Sequence, residues 1–332
     1  MSLTSFVSLL FPSLLRRNSA EIEIKLDSHH DDKIYGPGRQ FTESHTYKIP
    51  FSFVIPKHLT LSACKHENQS RAAFDQHMRL PSFMGYWSKD DLSPEGARVE
   101  YIIKVHVARG PPRPSGSLEK PMLAKHLINV LPDPVEDPPL HIALQDERYT
   151  LNRSKTLRKN IFSAKQGLLT VLATQPSSIR LIPDGNTVSE SALIISLQFD
   201  PISPETAPPS VRNIIGIIMA TTWLSGIPMH TMPDLSDQQS SSVFPINRGF
   251  SVPIPLVFPD LKGAASWTTV PEQEFGGNTA LHYEATLRVP FEIPTQPNMI
   301  LPTFHTCHIS RTYTLALTVK VANAKFYLDI PV

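Results

Sequence analysis

Two groups of metal-ligating side chains stand out in this chain: His29-His30-Asp31-Asp32, and His305, Cys307 and His308 near the C-terminus. Imidazole nitrogens, thiolate sulfurs and carboxylates are the donors that hold zinc and similar cations. Consecutive residues on a turn point in different directions, so 29–32 reads as a solvated polar turn. His305 and Cys307 share one face of an extended strand and could supply two ligands. No second pair lies close to them in sequence, so the expected role of Cys307 is core packing. No metal site and no cofactor is assigned. Cys64 and Cys307 are far apart, unlike the closely spaced cysteines of a small secreted domain, and both are expected as reduced thiols. The chain contains no G-x-S-x-G, H-E-x-x-H, phosphate-loop or dinucleotide glycine pattern, and the expectation is a protein without enzymatic activity. Asp90-Asp91 with Glu95 reads as a turn and a cap, and Tyr86 and Trp87 as loop or core anchors.

A basic run carries the strongest binding signal. Arg153, Lys155, Arg158 and Lys159 fall within seven residues, and Lys165 follows. Such a run is either a solvated linker or a patch for an acidic cargo tail or anionic lipid headgroups. Near an anionic surface each such residue contributes about 1 kcal/mol, in a salt-sensitive way. The formal net charge is only +1, so the attraction has to be local, and no nucleic-acid partner is expected.

The elements that position these residues read as strands. Tyr313, Leu315, Leu317, Val319 and Val321 alternate with Thr314, Ala316, Thr318 and Lys320; after Ala322-Asn323-Ala324 the apolar row resumes at Phe326, Leu328, Ile330 and Val332. That period of two marks a hairpin with one face on a core. Similar alternation covers Ile22–Leu26, Tyr47–Pro56, Val99–Val107, Leu168–Thr174, Leu193–Phe199, Phe250–Phe258 and Ala285–Phe291. Ile214–Met219 is apolar on both faces and β-branched, which suits a central strand. The 32 prolines against 14 glycines oppose long helices and favour strand edges and rigid loops. Together these predict an all-β protein of sandwich type.

Along the chain the organisation expected is a disordered leader at 1–20, a first sandwich at 21–132, a seam with the basic run at 133–165 and a second sandwich at 166–332. The leader is apolar before Arg16-Arg17, the reverse of a secretory signal, and is broken by Pro12 at a length too short to span a bilayer. A cytoplasmic location is therefore expected. Asp234–Ser242 reads as a polar loop.

Two stretches carry a family resemblance. One runs Tyr47-Lys48-Ile49-Pro50-Phe51-Ser52-Phe53-Val54-Ile55-Pro56, then Leu80-Pro81-Ser82-Phe83, Asp90-Asp91-Leu92-Ser93-Pro94 and Ala97-Arg98-Val99-Glu100-Tyr101. The other is Leu301-Pro302-Thr303-Phe304-His305-Thr306-Cys307-His308-Ile309-Ser310-Arg311-Thr312-Tyr313. Together they resemble the fungal arrestin-like proteins (the alpha-arrestin, or arrestin-related trafficking adaptor, family), over roughly residues 20–332. The resemblance implies two tandem immunoglobulin-like sandwiches. It also implies an adaptor role in protein transport: binding membrane transporters or receptors and recruiting a HECT-type WW-domain ubiquitin ligase for endocytosis, with peripheral association at the plasma membrane or endosomes. Two departures accompany it. Pro111-Pro112-Arg113-Pro114, Pro138-Pro139-Leu140-His141 and Pro208-Pro209-Ser210-Val211 all lack the tyrosine of a Pro-Pro-x-Tyr ligase-docking motif. Only Arg39–Thr46 separates the Gly36-Pro37-Gly38 turn from the next strand, where the family carries several more strands, so the expectation is either a truncated, non-functional relative or an incomplete first sandwich with an exposed sheet edge.

Overall fold

The computed structural model describes residues 2–11, 55–59, 63–85, 87–109, 122–132, 149–159, 163–181, 188–234, 247–259, 264–273 and 279–332. The expected strands at 22–26 and 47–54, the polar turn at 29–32, Tyr86 and the loop 235–242 lie outside them. The described residues form an all-β protein with thirteen strands and one short helix.

The chain divides into two compact units. Residues 1–57 and 98–130 form the first; 58–97 and 131–332 form the second. In the first unit β1 (Ser2–Phe11) runs parallel to β2 (Glu100–Arg109), and β3 (Met122–Ile128) pairs antiparallel on the other side of β2. In β2, Tyr101, Ile103 and Val105 are buried while Ile102 and Lys104 are half-exposed, as its alternation predicts. The segment expected to be a leader thus contains a strand. The features that argue against a signal or a membrane span do not argue against β structure. Ten extended residues pair with β2 from Ser2 opposite Glu100 to Phe11 opposite Arg109.

The second unit has two five-stranded sheets. The first contains β4 (Asn152–Arg158), β5 (Lys165–Thr174), β6 (Ser191–Pro201), β9 (Thr268–Gln273) and β10 (Thr279–Phe291), in the order β4-β5-β6-β10-β9. The second contains β7 (Val211–Ser225), β8 (Asn247–Pro255), β11 (Phe304–His305), β12 (Ile309–Val321) and β13 (Ala324–Pro331). In it β12 pairs with β7 on one side and with β11 and β13 on the other. All pairings in this unit are antiparallel. β7 pairs with both β8 and β12, which is the central place its continuous apolar run predicts.

One apolar core joins the two sheets. Leu169, Val171, Leu193, Ile195, Leu197 and Phe199 enter it from one side, and Ile218, Leu315, Leu317, Val319, Phe326 and Leu328 from the other. Each such side chain contributes roughly 1.5–3 kcal/mol by leaving water. The β12–β13 hairpin closes where sequence placed it: Val321 pairs with Ala324, and Ala322 takes a φ of 48° to make the turn. Gly167 on β5 is held by close packing, because a Cβ there would sit 2.5 Å from the Asp200 carbonyl oxygen and 2.5 Å from the Phe199 ring.

Two boundaries differ from the linear reading. The expected seam contains β4 and the start of β5, which belong to the second unit. Residues 58–97, expected in the first sandwich, form a strap of the second unit. The strap carries α1 (Arg71–Met78), capped by Ser70, whose Oγ accepts from the Ala73 amide at 3.1 Å. The helix buries Ala73, His77 and Met78. Further along, the Asp91 carboxylate accepts from the amides of Gly85 at 2.7 Å and Ser93 at 3.1 Å, and Asp90 accepts from Leu92 at 2.9 Å. These bonds make the turn expected there; among the described residues the expected cap has no helix to close. Trp87 anchors the same loop, donating to the Phe83 carbonyl at 2.7 Å with its ring edge-on to Phe83. Leu92 enters the core, and the Met299 amide donates to Asp90. The strap is therefore tied to the second unit by side chains and loops, signals that strand periodicity does not contain.

Candidate functional site

The basic run becomes one end of a sheet. β4 is an outer strand, paired antiparallel with β5 from Asn152 opposite Leu172 to Arg158 opposite Lys165. Its alternation is weak because it sits at the margin of the core: Leu157 is buried and the other β4 residues are exposed. Arg153, Lys155, Arg158, Lys159 and Lys165 are all exposed. Antiparallel pairing brings Lys165 beside Arg158, so five cations separated in sequence share one hairpin. A register shift between Leu157 and Arg158 marks the end of the strand.

Neutral partners hold several of these side chains. Lys155 Nζ donates to the Lys325 carbonyl at 2.6 Å and lies 5.6 Å and 5.7 Å from the ring centres of Phe326 and Tyr327. Arg158 donates to the Ser163 carbonyl at 3.4 Å, and Arg153 reaches Thr150 Oγ1 at 3.5 Å. Among the described residues none of the five forms an ion pair. The Asp329 carboxyl is raised above the usual range by burial, with the Arg153 charge pulling the other way. The patch thus keeps most of its positive charge for an external anion. The outer side of β4 faces β13: Thr150, just before the strand, exchanges main-chain hydrogen bonds with Asp329 at 2.9 and 3.0 Å, and Asn323 Nδ2 donates to the Lys159 carbonyl just after it at 2.8 Å, while Asn152–Arg158 pairs, among the described residues, only with β5.

The second site is one that sequence reading missed. Cys64, His66 and His77 from the strap meet Cys307 from the turn between β11 and β12, with their four donor atoms all within 4.8 Å of one another. Cys64, His77 and Cys307 are buried and His66 is half-buried. Cys307 is buried, as its expected packing role requires, and it also faces three possible ligands that the sequence did not bring together. The second pair of ligands lies more than two hundred residues away in sequence, out of reach of spacing arguments. His305, the expected companion of Cys307, is not among the four. It is buried, its Nδ1 has no hydrogen-bond partner, and burial lowers its pKa, with Asp234 opposing and Arg79 adding to the effect. The His29–Asp32 group lies outside the described residues.

The electrostatics of the cluster follow from its dryness. Burial lowers the His77 pKa to about 4, assisted by His66, His305, His230 and His308, so its ring is neutral. Burial and the adjacent Cys64 push the Cys307 thiol up to about 12. Both cysteines are free thiols. A shallow open groove near this turn is lined by Glu95, Ala97, Leu224, Ser225, His308 and Ile309.

No known protein family, no curated protein and no solved structure matches the chain. No described helix is long and apolar enough to cross a membrane.

Proposed function

We propose that this chain is a non-enzymatic, arrestin-like interaction protein that binds the acidic cytoplasmic tails of membrane proteins. The observation that carries the reading is the β4–β5 hairpin, where Arg153, Lys155 and Arg158 on the outer strand β4, Lys159 just beyond it and Lys165 at the start of β5 all stand exposed. An extended peptide adds to such an edge through main-chain hydrogen bonds, and the cations select acidic side chains and speed encounter. Two tandem immunoglobulin-like sandwiches of the arrestin kind, the first incomplete, are the architecture in which this reading places the hairpin. The working location is the cytoplasm, with peripheral association at the plasma membrane or endosomes.

A form of this role without direct ubiquitin-ligase recruitment is favoured by the proline motifs. None of the three Pro-Pro pairs is followed by the tyrosine that WW domains read. The Pro209 carbonyl is moreover occupied, accepting from Trp267 Nε1 at 3.2 Å.

The test is titration of the full chain with an acidic peptide and with vesicles containing phosphatidylserine, against a variant carrying Lys155→Glu, Arg158→Glu and Lys159→Glu. Peptide affinity falls at least about tenfold in the variant, as expected for loss of several rim charges. Unchanged peptide binding refutes the reading, and binding confined to vesicles makes the hairpin a lipid contact instead. Capture of a WW-domain ligase by the purified chain would contradict the ligase-independent form.

A further inference from the structure

We propose that Cys64, His66, His77 and Cys307 bind one zinc ion, and that this ion clasps the 58–97 strap to the sheet end that carries the β11–β12 turn. The inference does not depend on the peptide-binding role.

The geometry argues for a tetrahedral cation. With Zn–S of about 2.3 Å and Zn–N of about 2.0–2.1 Å, the edges of an S₂N₂ tetrahedron fall at about 3.3–3.8 Å. Cys64 Sγ lies 3.6 Å from His66 Nδ1 and 3.9 Å from His77 Nδ1. All four donors are mutually within 4.8 Å. Two sulfurs and two imidazoles at this size match zinc better than calcium, magnesium or manganese, which prefer oxygen ligands in larger shells. Four protein ligands close the coordination sphere, the arrangement of a structural rather than a catalytic site.

The surroundings orient the ligands as metal sites do. His66 Nε2 lies 2.9 Å from the Met229 carbonyl oxygen, which can only accept, so Nε2 carries the proton and Nδ1, 3.6 Å from Cys64 Sγ, is the ring nitrogen left to ligate an ion once the ring turns its lone pair inward. Met229 also donates its amide to the Cys307 carbonyl at 2.8 Å, tying two ligands to one residue. Asn68 Nδ2 donates to Cys64 Sγ at 3.4 Å, the bond that offsets thiolate charge. Cys64 and His66 are two apart in an irregular segment, and His77 comes from the buried face of α1. Binding releases the two thiol protons to solvent and involves no redox change.

The clasp has a structural task. Among its described residues the strap has one helix, of eight residues, and its backbone meets the rest of the unit through single bonds such as Gln69 N to His230 O at 3.0 Å and Met299 N to Asp90 O at 2.8 Å. A metal bridge from residues 64–77 to residue 307 holds the strap where its own secondary structure is sparse.

The experiment is metal analysis of the full chain by inductively coupled plasma mass spectrometry after desalting, with cobalt replacement as the spectroscopic readout. The expected result is about one zinc per chain, and cobalt spectra with tetrahedral ligand-field bands plus a thiolate charge-transfer band. Asn68→Ala keeps all four ligands and weakens zinc binding roughly 10- to 100-fold. The Cys64→Ser/Cys307→Ser variant loses the metal and the charge-transfer band. Chelation of the unmutated chain exposes the 58–97 strap to limited proteolysis. A metal-free chain that takes up neither zinc nor cobalt, a Cys64–Cys307 disulfide in the purified protein, or full metal content in the double-serine variant would each overturn the proposal. Should the variants not fold, the cobalt spectrum of the unmutated chain decides alone.

Discussion

Arg311 Nη2 donates to Ser93 Oγ at 3.0 Å across 218 residues of sequence, inside the protein. Arg311 is fully buried, lies 4.0 Å from Met84 Sδ, and its Nε and Nη1 have no hydrogen-bond partner. The bond joins the Leu92-Ser93-Pro94 loop of the strap to β12. A buried guanidinium with only part of its donors satisfied holds position at an energetic cost.

The first prediction follows from that imbalance. Arg311→Ala leaves a cavity and an unpartnered Ser93, and destabilises the chain by about 2–4 kcal/mol. Arg311→Met fills much of the same volume without burying a charge, and costs clearly less. Urea unfolding of both variants checks the order, and equal or reversed losses contradict it.

Gly167 and Gly216 test packing at two strands. A Cβ at 167 meets the Asp200 backbone oxygen at 2.5 Å, whereas a Cβ at 216 meets the half-buried Phe258 ring at 2.7 Å. Backbone cannot swing aside and the ring can. Gly167→Ala therefore costs about 1–3 kcal/mol and Gly216→Ala less, by the same unfolding measurement.

His282 supplies a pH dependence. Burial alone disfavours its charged ring, but hydrogen bonds to Asp200 and Glu284, together with their charges, raise its pKa above 6.5. A raised histidine pKa adds stability that is fully present below the unfolded value and is lost as pH climbs through the folded one. His282→Gln should therefore lower the melting temperature at pH values below 6.5, with the gap to the unmutated chain closing above the folded pKa. A gap that is constant with pH, or that widens as pH rises, contradicts the assignment.

Much of the fold was legible because strand alternation is local. The period-two row from Tyr313 to Val321 and its continuation at Phe326 became β12 and β13, and the two-faced run at Ile214–Met219 became the middle of β7. The basic run was legible as charge, but its sheet-end setting depended on Arg158 pairing with Lys165, a register that composition does not contain. The strap resisted reading. α1 is eight residues long, and its buried positions Ala73, His77 and Met78 make too short and too polar a stripe to announce a helix. The Cys/His cluster was hidden for a related reason. Cys64, His66 and His77 look like scattered polar residues until the chain returns at Cys307, and only tertiary closure joins them. At the N-terminus, an apolar run read as a leader pairs with β2, since an extended segment needs only a partner edge to satisfy its main chain.

The central claim is that β4 is a docking edge for acidic peptide. Hydrogen exchange of the full chain, with and without a saturating acidic peptide, tests it most directly. The account predicts slowed exchange across Asn152–Arg158 that is lost at high salt. Peptide binding that leaves the β4 amides unprotected, or that protects them equally at all salt concentrations, contradicts it.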